Sequence, residues 1–452
     1  MTLVVPPDQI RFGTGLVPGR PALTAETMLS ELAGPDRMAA AFPQDSFDTR
    51  MAFARDYSRL TRARRDSDAD EEAFRAIRRQ LNDDLTMQLA TTLSRGVADP
   101  SGLRERLTWF WADHFTTVGQ RRLMRGGITA HVEETIRPHV AGRFGDMLEA
   151  AILHPVMVLY LDQERSYGPN SITGQRRGAD LNENLARELL ELHTVGPDGG
   201  YTQADVREMA KLLTGLGIGD DGLAFRPNNA EPGPEVVMGR SYGGADPAHL
   251  SEIRAALQDI ALRPETARHI CRKLVDHFVS ETPDPDLLAA MQAAWRVTDG
   301  DLHAVMTALM THPAAQVPGQ GRVKQPLHLI ASTLRALDIP AEGLARAPAR
   351  RLRRFVERPL AAMGAPWQGA TGPDGYFDDD AEWIQPQVLA ARIGWCMTTP
   401  VALRRRLPDP RAFLRDALSD TAPPALERAA ARAESRAEGI GLILASPAFQ
   451  RS

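Results

Sequence analysis

The sequence predicts an all-α protein, a large multi-helix array with a small β-hairpin or irregular insertion near residues 217–244. Three observations carry this prediction. Ala, Leu and Arg are abundant and aromatic residues make up only 6% of the chain, a composition that favours helix over sheet. Apolar residues recur at helical spacing along most of the chain. The periodicity stops convincingly only between residues 217 and 244, where Gly, Pro and Asn dominate.

The other elements follow in chain order from local signals. Residues 1–22 are rich in Pro and Gly and predict an extended entry segment. Gly126 and Gly127 predict a break between helices, and Pro138 predicts another. Further helices are predicted over residues 25–32, 46–95 (one or two), 102–118, 128–153 (two), a short segment ending near Tyr160, 247–262, 263–280, 286–297, 301–312 and 322–337, with more helix toward the C-terminus.

Residues 180–215 contain the best-defined local unit of the chain, a helix, a tight turn and a second helix. The first helix buries one apolar stripe, which is formed by Leu181, Leu185, Leu189 and Leu192. The turn sequence GPDGG ends it. Thr202 and Asp205 then resemble a capping box that starts a helix over about 203–214, and Gly215 supplies its stop.

Three polar side chains lie beside that apolar stripe at i, i+4 and i+7: Asn184, Glu188 and Glu191. Carboxylates at the edge of an apolar face are partly desolvated, so they need a hydrogen-bond donor, a cation or a raised pKa. His193 ends the same helix, and His114 lies on the aromatic helix predicted over 102–118. These five residues are therefore the candidate catalytic set.

Two hypotheses explain the set. In the first, the protein is a metal-assisted hydrolase or related enzyme, in which Glu188, Glu191, His193 and His114 bind a divalent metal or transfer protons, joined by Asp113 and Asp162. The spacing matches neither Glu-x-x-His nor His-Glu-x-x-His, and on a regular helix Glu188 and His193 point about 140° apart. In the second, Asn184, Glu188 and Glu191 form a buried polar network that sets helix register.

Composition bounds the remaining possibilities. A net charge of −5 predicts no nucleic-acid or anionic-membrane partner. The sequence contains no run of eighteen apolar residues, so no transmembrane helix is predicted. The two cysteines are too far apart for a metal or disulfide motif and are expected to be buried. Without a recognisable signal peptide, the expected location is cytoplasmic. The 452 residues are expected to form a single large helical domain, with a possible division into 1–216 and 245–452.

Several segments together resemble an uncharacterised bacterial family, domain of unknown function 1800: WFWADHFT, the whole of residues 181–215, RPETARHICRKLVDHFV, GAPWQGATGPDGY and LILASPAFQR. The resemblance implies a mainly helical fold and a gene often found beside one for a sulfatase- or alkaline-phosphatase-like protein. Relatives often have a His-Glu-Pro-Gly-Pro-like sequence where this chain has Ala230 before Glu231. If that His bound a metal, one ligand is missing here.

The resemblance also implies an alternative function, a non-enzymatic scaffold or partner of the neighbouring gene product. Trp367, Tyr376 and Trp383 lie in a second loop that is too apolar for a disordered linker. If exposed, they would be interface anchors. If buried, they would cover the helical core.

Overall fold

The computed structural model describes residues 6–119, 122–178, 180–219, 222–245, 248–317 and 321–452, and of residues 122–125 the backbone alone. Helices form most of this described part, and the strands in it make two small two-stranded sheets. The predicted all-α class with a small β insertion is therefore confirmed. Among the described residues, no helix is both long enough and apolar enough to cross a membrane.

The first part of the chain, up to the β insertion, contains helices of very different lengths. The longest has 31 residues. The α-helices are Asp8–Arg11, Ala25–Ala33, Arg37–Ala41, Phe47–Ala63, Asp68–Ala98, Leu103–His114, Arg122–His131, Phe144–Ile152, Pro155–Tyr160, Ile172–Arg177, Asn184–Glu188 and Gln203–Leu212, with π-helical segments at Val132–Ile136 and Leu189–His193 and 3₁₀ turns at Arg137–His139 and Gln163–Arg165.

The second part is again helical, and many of its helices begin with proline. Proline at the first position lacks an N–H that would be unsatisfied there, and its φ suits the helix. The α-helices are Leu250–Ala261, Pro264–Phe278, Pro285–Val297, Leu302–Thr311, Pro326–Ala336, Ala341–Ala345, Ala349–Leu352, Arg358–Ala362, Asp380–Trp383, Pro386–Thr398, Pro400–Leu403, Pro410–Leu418, Pro424–Arg432, Arg436–Ala445 and Pro447–Gln450, with a π segment at Arg353–Glu357 and 3₁₀ turns at Pro313–Gln316 and Ser419–Thr421.

The insertion contains two hairpins where the sequence predicted one. Strand Leu216–Gly219 pairs antiparallel with Gly222–Phe225, and Glu235–Val237 pairs antiparallel with Arg240–Tyr242. A 3₁₀ turn, Pro227–Asn229, lies between the hairpins. The second hairpin packs on helix Gln203–Leu212, so the insertion covers the helix-turn-helix unit.

Two large buried cores organise the molecule. The first core is formed by side chains of residues that lie between Phe12 and Ala315 in the sequence. The second combines Leu89 and Leu93 of the long helix with side chains from between Leu329 and Phe449. The first core therefore uses residues on both sides of the insertion, a grouping different from the halves 1–216 and 245–452. The single-domain description and that subdivision stay predictions.

Two local predictions are wrong. Helix Arg122–His131 runs through Gly126 and Gly127 without a break. A Cβ on Gly127 would lie 3.0 Å from Val156 Cγ2, so glycine at this position allows close helix packing and does not end the helix. The signature helix begins at Asn184, so Leu181 of the predicted apolar stripe precedes it, and its last turn, Leu189–His193, is π-helical.

Candidate functional site

A cavity of about 150 Å³ lies between helix Leu103–His114, helix Arg122–His131 and the segment 364–379, which we call the cavity loop. We call the space itself the Trp109 cavity. Half of the residues in its wall are polar or charged, but aromatic and aliphatic groups supply most of the surface that faces the space. The wall residues include Trp109, Ala112, Asp113, Thr117, Ile128, His131, Val132, Leu327, Leu360, Trp367, Gln368, Tyr376 and Trp383. Such a mixture is typical of small-molecule sites.

Five cavity-lining residues carry a buried polar atom that has no hydrogen-bond partner in the described part of the chain. The atoms are Trp109 Nε1, Thr117 Oγ1, His131 Nε2, Trp367 Nε1 and Gln368 Oε1. Buried polar atoms are nearly always hydrogen-bonded, either to protein or to ordered water. Five residues of one wall therefore keep hydrogen-bonding capacity that a polar guest or an ordered water can satisfy.

Asp113 is the acidic residue of the cavity whose protonation is most perturbed. Burial is the main cause and raises its pKa to about 7, although the hydrogen bond from Tyr376 N opposes the shift. The neighbouring carboxylate of Asp378 raises the pKa further. The side chain is half-buried because it lines the cavity while protein packs around its other sides. A carboxyl group with this pKa can both accept and release a proton near neutral pH.

The cavity loop is held against Asp113 at two consecutive residues. Tyr376 N donates to Asp113 Oδ1 at 2.9 Å. Gly375 has φ +80°, and a Cβ there would lie 2.7 Å from the same oxygen. The Tyr376 hydroxyl donates to Pro366 O and accepts from Gly369 N, which ties the two ends of the loop together.

The other charged residues of the cavity wall are paired. Arg95 Nη1 lies 2.6 Å from Glu133 Oε1, and Arg137 forms a two-point pair with Glu105. Because these charges are paired with one another, we do not assign a proton-transfer role to any of them. Asp113 is thus the candidate for proton transfer in this cavity.

Glu188 and Glu191 lie in a different environment, both half-buried. Burial, and then the charge of Glu191, raise the pKa of Glu188. Burial together with the charge of Glu188 raises the pKa of Tyr160 to about 12. Glu191 Oε2 accepts a hydrogen bond from Tyr201 Oη at 3.3 Å. The pair of glutamates predicted from the sequence therefore does lie together, with tyrosines as neighbours.

The predicted histidines form a separate, buried pair. The His114 and His193 rings have centroids 5.6 Å apart, and His114 Nε2 lies 3.2 Å from the His193 carbonyl oxygen, to which it donates. Burial lowers the pKa of His193 to about 3 and the pKa of His114 well below its ordinary value, so both rings are neutral. Both nitrogens of His193 lack a hydrogen-bond partner among the described residues.

The remaining members of the predicted set are scattered. Asn184 is exposed, and the Asp162 carboxylate faces Arg165 at 3.5 Å on the surface. Within the described ranges, no group of three or more His, Cys, Asp or Glu side chains is arranged to hold a metal ion. The metal-assisted hypothesis stays a prediction, and the described geometry supplies no ligand set for it.

Glu231, beside the position of the missing His, has a structural role. It is buried, and its carboxylate accepts from Asn170 N at 2.9 Å and from Asn170 Nδ2 at 2.5 Å. Gly168 packs so closely that a Cβ would lie 2.5 Å from Glu231 N. The insertion is therefore fastened to the loop that leads into the signature helix.

Sequence reasoning named Asp113 as an accessory residue and missed Trp109, His131 and Gln368 as parts of a site. The alternative given for Trp367, Tyr376 and Trp383, that they cover the helical core, matches their position over the cavity: Trp383 is buried and the other two are half-buried. The usable signal was the clustering of aromatic residues in two distant segments, helix 102–118 and the cavity loop.

A family model described as "Protein of unknown function (DUF1800)" matches residues 12–451. No curated protein matches the chain. No solved structure matches it either.

Proposed function

The chain belongs to the DUF1800 family, and because that family's description assigns no activity, we propose its function from the geometry of the cavity. The protein binds a small, mostly apolar organic molecule in the Trp109 cavity, and Asp113 acts on that molecule as an acid–base group. The five unpartnered polar atoms around the cavity carry the proposal. They match the few oriented polar contacts by which apolar pockets select a ligand.

The cavity supports acid–base chemistry through a division of roles. Trp109, Trp367 and Trp383 supply apolar surface. Asp113 lies at the point where the cavity loop meets helix Leu103–His114, so loop and acid are positioned together. Protonated Asp113 can donate to an oxygen of the ligand, and ionised Asp113 can accept a proton from it.

Acetophenone is a suitable probe because it combines an aromatic ring with a single strong acceptor. Calorimetric titration is expected to give a measurable Kd that weakens about five-fold from pH 6 to pH 8, since only the protonated carboxyl group donates to the ketone. Asp113→Asn is expected to abolish this pH dependence. Affinity independent of pH in the wild-type protein would contradict the acid–base role.

A cavity-filling variant tests the location. Ala112→Leu adds three carbon atoms inside the cavity wall, so acetophenone affinity is expected to fall about ten-fold. Ala76→Leu, at an exposed position of helix Asp68–Ala98, is the matched control and should bind like the wild type. Equal affinity in both variants would place the probe elsewhere and refute the proposal.

A second candidate function, a non-enzymatic protein partner, is favoured by helix Pro386–Thr398. Its single charged residue, Arg392, is fully buried, whereas Leu389 and Ile393 are 37% and 41% exposed. Phe377 of the adjoining cavity loop is 58% exposed. Contiguous patches of exposed apolar side chains are typical of protein interfaces.

The partner for this surface would be the sulfatase- or phosphatase-like product of the adjacent gene that the family resemblance implies. Co-expression and size-exclusion chromatography should give a complex that Ile393→Glu disrupts. Val297→Glu, at a residue 84% exposed elsewhere, should leave the complex intact. A complex that survives Ile393→Glu would exclude this surface.

A further inference from the structure

A second, smaller pocket of about 40 Å³ adjoins the Trp109 cavity, and we call it the Arg106 pocket. The two spaces share Trp109, Gln325, Leu327 and Trp383 in their walls. The wall of the smaller pocket also contains Arg106, His277, Arg322 and Asp378. The two spaces are therefore adjacent, and the smaller one provides a strongly polar end beside the largely apolar surface of the larger one.

Arg106 is a buried cation without a carboxylate. Its side chain is 3% exposed, and no Asp or Glu in the described part of the chain forms an ion pair with it. The guanidinium instead contacts Gly13 O at 3.2 Å, His328 Nε2 at 3.1 Å and His277 Nε2 at 3.3 Å. These are neutral acceptors, so the positive charge itself is not balanced.

Other buried arginines of the same region show the contrast. Arg95 and Arg137 both pair with glutamates, and Arg322 lies 2.8 Å from Glu281 Oε1. A buried charge left without a counter-ion is costly. Arg335 and Arg392 are also buried without an ion pair in the described part of the chain, but neither lines this pocket. Arg106 does line it, which is the arrangement expected of a site that receives its anion from outside.

Neighbouring groups add to the positive potential. Lys324 is buried, and burial together with the charges of Arg106 and Arg392 lowers its pKa to about 7. Arg392 keeps one buried Nη1 without a partner among the described residues. One carboxylate in the pocket wall opposes them: Asp378, whose Oδ1 lies 4.0 Å from His277 Nδ1. Because Arg322 is paired with Glu281, Arg106 is the guanidinium of this pocket wall that has no ion pair in the described part of the chain.

Trp109 connects the two spaces. Its ring lines both, and its buried Nε1 has no partner in the described part of the chain. An indole N–H donates to anions and to neutral acceptors alike. A ligand whose ring packs in the large cavity can thus place an acidic group near both this N–H and the Arg106 guanidinium.

We propose that the ligand of the Trp109 cavity is a small organic acid, with an apolar or aromatic body in the large cavity and a carboxylate-sized anionic group in the Arg106 pocket. This inference rests on the proposed function and names its substrate class. Arg106 is the residue that selects the acid over its neutral analogue, because only the anion gains from the unbalanced charge.

Phenylacetate and phenylacetamide are the matched probes, since they differ in charge and hardly in shape. At pH 7.5, calorimetric titration of the full chain should show phenylacetate binding about ten-fold more tightly, the factor expected for one hydrogen bond to a charged group. Arg106→Gln should bind both probes with the weaker affinity. Arg346→Gln, at an exposed arginine, should keep the preference.

The outcomes separate the two proposals. If the wild-type protein binds both probes equally, the anionic substrate class is wrong and the cavity proposal stands. A ten-fold preference that persists in folded Arg106→Gln also overturns the inference. If neither probe binds the wild-type protein at millimolar concentration, the proposed function fails, and this inference fails with it. The comparison of the two probes on the wild-type protein needs no variant, so it holds even where Arg106→Gln does not fold.

Discussion

Asp113 and Glu188 are both carboxylic acids whose pKa is raised mainly by burial, but their surroundings differ. Asp113 accepts a backbone hydrogen bond and lines a cavity. Glu188 has no hydrogen-bond partner in the described ranges, and the charges of Glu191 and Asp374 raise its pKa further. The first environment positions the carboxyl group that we propose transfers protons, whereas the second only disfavours the ionised form of Glu188.

The stability of the protein should depend on pH through Asp113. Its ordinary pKa is 3.8 and its folded pKa about 7, so between these values the folded protein holds a proton that the unfolded chain has lost. Stability contributed by this group therefore falls as pH rises from about 4 to 7. Asp113→Asn does not lose this contribution. The free energy of unfolding of the variant minus that of the wild type should therefore be about 1–2 kcal/mol larger at pH 8 than at pH 5.

Urea denaturation at the two pH values measures this difference, and the amide keeps an acceptor for Tyr376 N. Asp66→Asn, at an exposed aspartate, is the control and should show the same stability difference at both pH values. A pH-independent difference for Asp113→Asn would mean that the carboxyl group is ionised throughout the range.

Glu188→Gln removes one charge from a group of like charges. Because the nearby Glu191 and Asp374 disfavour ionised Glu188, the variant should fold and gain about 0.5 kcal/mol in free energy of unfolding at pH 7.5. Elemental analysis of both proteins is the second measurement. Unit-stoichiometry metal that disappears in the variant would restore the metal-assisted hypothesis.

At the scale of elements, the cavity loop and helix Leu103–His114 depend on each other. Gly375 makes this possible, since its positive φ and the absence of a side chain let the loop backbone approach Asp113. The π segment Leu189–His193 is a second such adjustment, which ends the signature helix with His193 fully buried. π segments of this kind are rare and often occur near functional sites.

Gly375→Ala should displace the cavity loop, because the new Cβ would meet Asp113 Oδ1 at 2.7 Å. We expect acetophenone affinity to fall about ten-fold and the stability to fall by about 2 kcal/mol. Gly200→Ala shares the positive φ, +74°, but has open space around it. It should therefore lose stability from backbone strain alone and keep wild-type affinity. If Gly375→Ala binds acetophenone with wild-type affinity, the cavity loop is not part of the binding site.

At the scale of the whole molecule, the two cores are joined by buried polar contacts as well as by apolar packing. Arg335 belongs to helix Pro326–Ala336, whose apolar side chains lie in the second core. Its guanidinium donates to the carbonyl oxygens of Gly15, Gly96, Asp99 and Pro100. Gly96 lies in the last turn of helix Asp68–Ala98, and the other three carbonyls lie in loops.

Arg335→Met should leave three buried carbonyl oxygens and the half-buried Pro100 O without that donor, so the free energy of unfolding is expected to fall by about 3 kcal/mol. Circular dichroism during urea unfolding measures the loss. Arg346→Met, at an exposed position, should change stability by less than about 0.5 kcal/mol. Similar small effects for both variants would show that apolar packing alone holds the cores together.

The sequence by itself determined the helical class, the place of the β insertion, and the capping box of Thr202 and Asp205, which is present as predicted. These features depend on contacts within a few residues, and local patterns encode them directly. The two cysteines are also buried and unpaired as expected. The sequence also predicted that Glu188 and Glu191 lie on one side of a helix, because their spacing is a local pattern.

Only the tertiary structure formed the Trp109 cavity, in which we propose that a ligand binds. Asp113 and Tyr376 are 263 positions apart, and their contact depends on how two distant elements pack. The tertiary structure also separated the buried, neutral His114 and His193 from the half-buried glutamates, because burial and backbone irregularity override the angles of an ideal helix. Helical periodicity specifies which side of a helix is apolar; it does not specify which distant loop will cover that side or what space remains between them.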